Sequence, residues 1–293
     1  MSDLYQTVTD KIIAALEAGT PPWVRLWTTG GDNGLPVNGA TRRQYAGINV
    51  VLLTLEGMFN GYERNCWLTY RQAAALGGQV RAGSTGTQVV FYKRTEFPDK
   101  DDPAKPSRLV PLLRSFTVFN TSQIDNLPPH LTQPAEPPAW NPLDAAERLL
   151  AESGADIRHG GNRAFYHPPL DYISLPPRAS FPSAPAYYST GLHELSHWSG
   201  ASTRLNRDLS GRFREAAYAA EELIAEISSA FLCAQLGIQG QLQHASYISS
   251  WLRLLRSDKR AVFTAAAKAQ QAATYLLETA GVMPGAPVEA VAA

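Results

Sequence analysis

Apolar positions fall into blocks whose spacing changes along the chain. Leu4, Val8, Ile12, Ile13 and Leu16 recur every three or four residues and end near Gly19 and Pro21-Pro22, which predicts an opening amphipathic helix. Gly47 to Leu55 is almost wholly apolar, broken by Asn49 and Thr54, and suits a buried helix or strand. Thr69 to Leu76 predicts a short helix stopped by Gly77-Gly78. TQVVFYKRTEF and LLRSFTVFNTSQI alternate and are rich in β-branched and aromatic residues, so both are expected as strands. The polar stretch 98–108 between them is expected to be a long hairpin tip.

The pattern is then interrupted. NLPPHLTQPAEPPAWNP, residues 126–142, holds six prolines and no periodic apolar set, so it can continue neither a helix nor a central strand. Beyond it the chain predicts a helix from Pro142 to about Ser153, then short strands in AFYHP and DYISLP. Helices are expected over HELSH, from about Phe213 to Leu236, over 241–256 and over 258–280. The expected fold is α+β in two domains, 1–125 and 143–282. The proline-rich 126–142 joins them, and 283–293 forms a loose tail.

Composition narrows the function classes. At 293 residues, 44% hydrophobic and 18% charged, the chain is ordinary for a globular protein and holds no run long enough to span a membrane. MSDLYQTVTDKIIAAL lacks the basic start and unbroken apolar core of a signal peptide, and Cys66 and Cys233 imply no disulfide framework, so a cytoplasmic setting is expected. Net charge is zero, with only a small local excess of nine basic over six acidic residues in 1–95.

The chemistry concentrates in STGLHELSHWSG, residues 189–200. Four residues apart on a helix, His193 and His197 project from one face and can share one cation. Glu194 lies about 100° round the helix, beside such a cation, where a general base takes a proton from the attacking water. Two histidines on a solvated face would show the same spacing, but Leu192, Leu195 and Trp198 make this helix largely apolar. A third ligand is offered by AEELIAEISSAF: Glu222 and Glu226 share a face within an apolar stripe, and Glu221 lies one step off it. Zn²⁺ suits this donor set, with Mn²⁺ or Co²⁺ as alternatives. Tyr187, Tyr188 and Tyr218 are candidate donors to an oxyanion, and DYISLP is a candidate edge strand for an extended substrate.

The first half interleaves aromatic and basic side chains: Trp23, Arg25, Trp27, Arg42, Arg43, Tyr45, Trp67, Tyr70, Arg71, Arg81, Tyr92 and Lys93. Aromatic faces stack unpaired bases and arginines follow phosphates, so single-stranded nucleic acid is a candidate partner. Core packing of the same rings is the competing expectation.

Two resemblances add to these readings. Glu222-Leu-Ile-Ala-Glu226 resembles the second-helix element of gluzincin metallopeptidases. That implies Glu222 as the third ligand and Glu226 as the residue that holds a ligand histidine. PPWVRLW, YAGINVVLL, WLTYRQAAALGGQVRAGSTGTQVVFYK and FTVFNTSQ, followed by AFYHPPLDYISLP, HELSHWSG and EELIAEISSAFLC, resemble in order the ArdC-type antirestriction proteins of conjugative plasmids. The resemblance covers about residues 4–280 and implies a single-strand-binding first domain and a zincin-like metallopeptidase second domain, protecting incoming DNA from restriction. It implies His193, His197 and Glu222 as ligands, Glu194 as catalytic base, and action in the recipient cell. Two other expectations stand beside it. The chain would be a metalloprotease acting on a host restriction or regulatory protein, or the cation would be structural with Glu194 idle.

Overall fold

The computed structural model describes residues 3–19, 21, 23, 35–62, 64–97, 108–132, 142–209, 215–238 and 247–282. Residues 98–107, 133–141 and 283–293, where the hairpin tip, most of the proline-rich segment and the tail were expected, lie outside the described residues.

Helix α1 (Leu4–Glu17) opens on Asp3, whose carboxylate accepts from the Tyr5 N–H and so satisfies one of the free donors of the first turn. A four-stranded sheet follows in the order β1 (Val37–Asn38), β2 (Cys66–Thr69), β5 (Arg108–Asn120), β4 (Thr87–Phe97), antiparallel except for β1 on β2. The apolar run after Gly47 is helix α2 (Ile48–Asn60), packed on β4. Its buried amide supplies what the edge strand lacks: Asn49 Nδ2 donates to Val90 O at 2.8 Å, and Val90 N–H donates back to Asn49 Oδ1 at 2.8 Å. A helix side chain thus satisfies backbone groups that an edge strand leaves open.

Thr69 and Gln72 form a capping box at the start of α3 (Tyr70–Ala75). The expected strand over LLRSFTVFNTSQI ends early. A second capping box, Asn120 with Gln123, turns the chain through a 3₁₀ turn into β6 (Ile124–Asp125), which pairs with β3 (Gln79–Val80). The short helix α4 (Pro129–Thr132) closes this half.

The second half begins with α5 (Pro142–Glu152) and a three-stranded sheet in the order β7 (Asp156–His159), β9 (Tyr172–Leu175), β8 (Phe165–His167). DYISLP is therefore the central strand and not the edge. The reason is β7, whose short polar sequence DIRH carries little strand signal and which pairs parallel with β9 on its other side. The two edges are β7 and β8, the latter antiparallel to β9. Helices α6 (Ala184–Trp198), α7 (Glu215–Leu236), α8 (Ile248–Ser257) and α9 (Ala261–Thr279) form a bundle around α7.

The two halves share one apolar core. It runs from Val8, Ile12 and Trp23 through Val51 and Val90 to Leu192, Phe231 and Trp251. Although first in sequence, α1 lies against α8. Thr9 Oγ1 donates to Lys259 O at 2.8 Å, Tyr5 packs edge-on to Phe263, and Trp23 meets Trp251 edge-on at 5.4 Å. No helix among the described residues is long and apolar enough to cross a membrane.

Candidate metal centre

Helix α6 starts where Ser183 Oγ accepts from Ala186 N–H and Pro185 occupies the first turn, a position that needs no N–H donor. Small residues then let its neighbours approach. A Cβ on Gly191 would sit 3.2 Å from Leu150 of α5. Toward α7, Ser196 Oγ donates to Ser228 Oγ at 3.0 Å and Ser229 Oγ to Ser189 O at 3.1 Å. This register sets two turns of α7, bearing Glu222 and Glu226, opposite two turns of α6, bearing His193 and His197.

The three expected ligands converge. His193 Nε2 and His197 Nε2 are 3.2 Å apart, and Glu222 approaches each of them at 3.6 Å through a different oxygen. Bonds of about 2.0–2.2 Å to one tetrahedral ion place its ligands roughly 3.3–3.5 Å apart, so these separations fit. The tautomers fit as well. His197 Nδ1–H donates to Glu221 Oε1 at 3.2 Å, and His193 Nδ1 faces Glu226 Oε2 at 3.5 Å. With Glu221 bonded to one Nδ1 and Glu226 facing the other, two Nε2 lone pairs confront each other, an arrangement that only a proton or a cation between them relieves.

Electrostatics favour the cation. Burial works against a charged His197, yet Glu221 and Glu222 outweigh it and lift the imidazole to about 9. Burial likewise opposes charge on His193, and Glu222 with Glu226 holds it well above 6.5. Desolvation would raise the Glu222 carboxyl, but the two imidazoles keep it far below its usual range. In the cation-free protein, protonated His197 contributes stability that is complete below its unfolded value near 6.5 and is lost as pH rises through about 9. A divalent ion replaces those protons. Calorimetry at pH 7 in buffers of different ionisation enthalpy is therefore expected to show proton release on Zn²⁺ or Mn²⁺ binding, with apparent affinity rising toward pH 9.

Sequence reading missed how His197 is held. Arg207 is 8% exposed and grips Glu221 with both arms, Nε to Oε2 at 3.0 Å and Nη2 to Oε1 at 2.8 Å, while Nη1 donates to Ser199 Oγ at 3.0 Å. A Cβ on Gly200 would come within 2.8 Å of that guanidinium. The Ser-Gly that ends the motif thus accommodates an arginine returning eight residues later. Glu221→Gln is expected to weaken cation binding by roughly 10- to 100-fold, the usual cost of losing a ligand's orienting partner. Gly200→Ala is expected to do the same by displacing Arg207, and chelator competition measures both.

The trio opens into a cavity of about 200 Å³ lined also by Glu194, Tyr218, Tyr247, Phe165 and Arg163. Of the three tyrosines considered from sequence, Tyr187 bonds His159 at 2.9 Å and Tyr188 bonds Glu147 at 2.9 Å, both outside the cavity. Tyr218 faces it, 3.2 Å from the Tyr247 hydroxyl. Burial, the Tyr247 hydroxyl and the nearby Glu222 raise its pKa, so it remains a proton-bearing donor. Edge strand β8 forms one wall through Phe165 and Tyr166. Tyr166 is tied to Asp171 at 2.8 Å, and Arg204 clasps Asp171 while lying 3.8 Å over the Trp198 ring.

Among the described residues, the aromatic and basic candidates of the first half do not form one surface. Trp23 and Trp67 are fully buried and Tyr45 nearly so, because each fills the core instead of facing solvent. Trp67 Nε1–H is satisfied by Asn65 Oδ1 at 3.0 Å and its ring lies edge-on to Tyr62. Arg42, Arg43, Arg71 and Arg81 are exposed. Arg25 and Trp27 lie outside the described residues, as do the side chains of Tyr92 and Lys93 on β4.

Comparison with known proteins agrees with this geometry. Residues 2–119 match the family described as the N-terminal domain of anti-restriction factor ArdC, and residues 144–268 a zincin-like metallopeptidase family. The crystal structure of the antirestriction ArdC protein from the R388 plasmid, metal-free, superposes with a TM-score of 0.82 at 45% identity, over 95% of this chain and 98% of that one. The chain belongs to the ArdC antirestriction family. The Mn(II)-bound structure of the same ArdC matches with a TM-score of 0.79, and His193, His197 and Glu222 form a cluster that could hold a divalent cation, zinc or manganese. Within the ArdC relatives, an uncharacterized protein of Sinorhizobium fredii (strain NBRC 101917 / NGR234), y4eC, is 45% identical over 94% of this chain and 92% of its own length. Two Escherichia coli proteins named DNA primase TraC are 43% and 42% identical over 93% of this chain, which spans only 20% and 27% of their lengths.

Proposed function

We propose that this protein is a plasmid-type antirestriction factor that binds single-stranded DNA through its first half and protects incoming conjugative DNA from restriction. We further propose that its second half is a divalent-metal peptidase centre. The observation that carries the reading is the near full-length match to an antirestriction ArdC at 45% identity. On this reading the protein binds single-stranded oligonucleotides in preference to duplex, with an affinity that falls as salt rises. It also raises the survival of unmodified DNA conjugated into a restricting host. A protein that neither binds single strands nor protects DNA would refute the reading.

A bound Zn²⁺ or Mn²⁺ would polarise a scissile carbonyl and acidify water at the site. His193, His197 and Glu222 would hold it, with Glu226 and Glu221 fixing the two imidazoles. Glu194, which lines the cavity, would take the proton of the attacking water and pass it to the leaving amine. Tyr218 would donate to the oxyanion as charge develops there. The open edge of β8 would align an extended peptide through its backbone groups.

A second reading, hydrolysis of a host restriction or regulatory protein, is favoured by one observation. Glu194 is a buried carboxylate lining the cation cavity, a costly placement for a group with no task.

A further inference from the structure

With Trp23, Tyr45 and Trp67 withdrawn into the core, the stacking surface for an unpaired base has to lie elsewhere. Two aromatic rings of the first half are widely exposed among the described residues, Phe59 at 64% and Tyr70 at 54%. Phe59 lies on the last turn of α2 beside Glu56 and Asn60, which bond to each other at 2.9 Å. Helix α2 itself carries no Lys or Arg to hold a phosphate beside that ring.

Tyr70 has different company. It borders an open groove together with Phe119, Gln79, Ser84, Arg81 and Asp125. One wall is the turn from Arg81 to Ser84, closed by Ser84 N–H to Arg81 O at 3.1 Å and dependent on Gly83, which holds φ +80°. Phe119 lies against Gly86, where a Cβ would come within 3.0 Å of the ring. Arg81 is fixed in place by Asp125 at 3.0 Å and by Ser122 O, which occupies two of its five N–H donors and leaves the others for a ligand.

More positive charge adjoins the same helix start. Arg71 follows Tyr70, and Asn38 Nδ2 donates to Gln72 Oε1 at 3.1 Å, which ties the turn bearing Arg42 and Arg43 to α3. The Asn38 carboxamide also accepts from Ala40 N–H and Thr41 N–H, so that turn is itself braced.

We infer that this groove is a base-stacking subsite for single-stranded DNA. Tyr70 is the platform for one unpaired base, and Arg81 and Arg71 hold the flanking phosphates. This rests on the single-strand-binding reading above. A duplex keeps its bases paired and stacked on one another, and so offers Tyr70 no free face.

The test uses the full chain and a fluorescent oligo-dT, with a duplex of equal length as control. Tyr70→Ala is expected to weaken single-strand binding roughly tenfold with an unchanged salt slope, and Tyr70→Phe to keep full affinity. Arg71→Gln and Arg81→Gln are each expected to lower the slope of log affinity against log salt by about 0.7. Independently of any variant, ultraviolet irradiation with an oligonucleotide carrying 5-iodo-deoxyuridine is expected to attach the nucleotide to Tyr70. If the wild type binds single strands but Tyr70→Ala binds equally well and the adduct maps elsewhere, the subsite is wrong and the single-strand reading stands. If the wild type does not bind single strands, that reading falls and the subsite with it.

Discussion

Glu194→Gln is expected to lower hydrolysis of a peptide substrate by roughly 100- to 10,000-fold, the usual worth of a positioned general base. Cation stoichiometry and single-strand affinity are expected to stay as in the wild type. The separation follows from position. Glu194 lines the cavity but is not one of the converging donors, which are His193, His197 and Glu222. The amide is nearly isosteric, so α6 and its contacts with α7 are retained while the proton acceptor is lost. In cells, the same variant distinguishes the two readings of function. Protection of incoming DNA is expected to survive in Glu194→Gln, because the proposed single-strand binding lies in the other half. Loss of protection with intact DNA binding would transfer the biological role to hydrolysis.

Trp67→Ala is expected to cost about 3–5 kcal/mol of folding stability, as for other large core truncations. Strand β2 is buried on both faces. Trp67 enters the main core, while Cys66 and Leu68, on the alternate side, enter the small core with Val80, Ile124 and Leu131. Removing the indole leaves a void between β2 and Tyr62 and strips the Asn65 carboxamide of its donor. Urea titration reads the loss directly. Single-strand affinity per folded molecule is expected to match the wild type, whereas a ring that stacked on DNA would lose affinity without losing stability.

What the sequence made legible was local. The His193–Glu194–His197 helix and the Glu222–Glu226 face follow from a period of 3.6 residues and from carboxylates too costly to bury idle. The Arg207–Glu221–His197 chain was not legible, because it depends on how residues 199–207 fold back, and Arg207 has no periodic signature. Glu221 looked one step off the ligand face, and that offset is what lets it reach the far nitrogen of His197. Tyr247 reaches the cavity from the start of α8 and gives no signal beyond an aromatic in a polar stretch. The tryptophans mislead for a related reason. An aromatic flanked by arginine and proline suits a stacking surface or a core equally, and only tertiary packing decides. Asn49 reads as a flaw in an apolar run, yet it completes the edge of β4. The docking of α1 onto α8 and α9 joins residues some 250 apart in sequence, a contact that no local pattern encodes.

The central claim is that one divalent cation sits among His193, His197 and Glu222, with Glu221 and Glu226 outside the coordination shell. Anomalous diffraction from crystals loaded with Mn²⁺ or Zn²⁺ tests it most directly. The expected result is a single peak about 2.0–2.2 Å from His193 Nε2, His197 Nε2 and a Glu222 oxygen. A peak coordinated by Glu221 or Glu226 in place of Glu222, or no peak between the two imidazoles, would contradict the account.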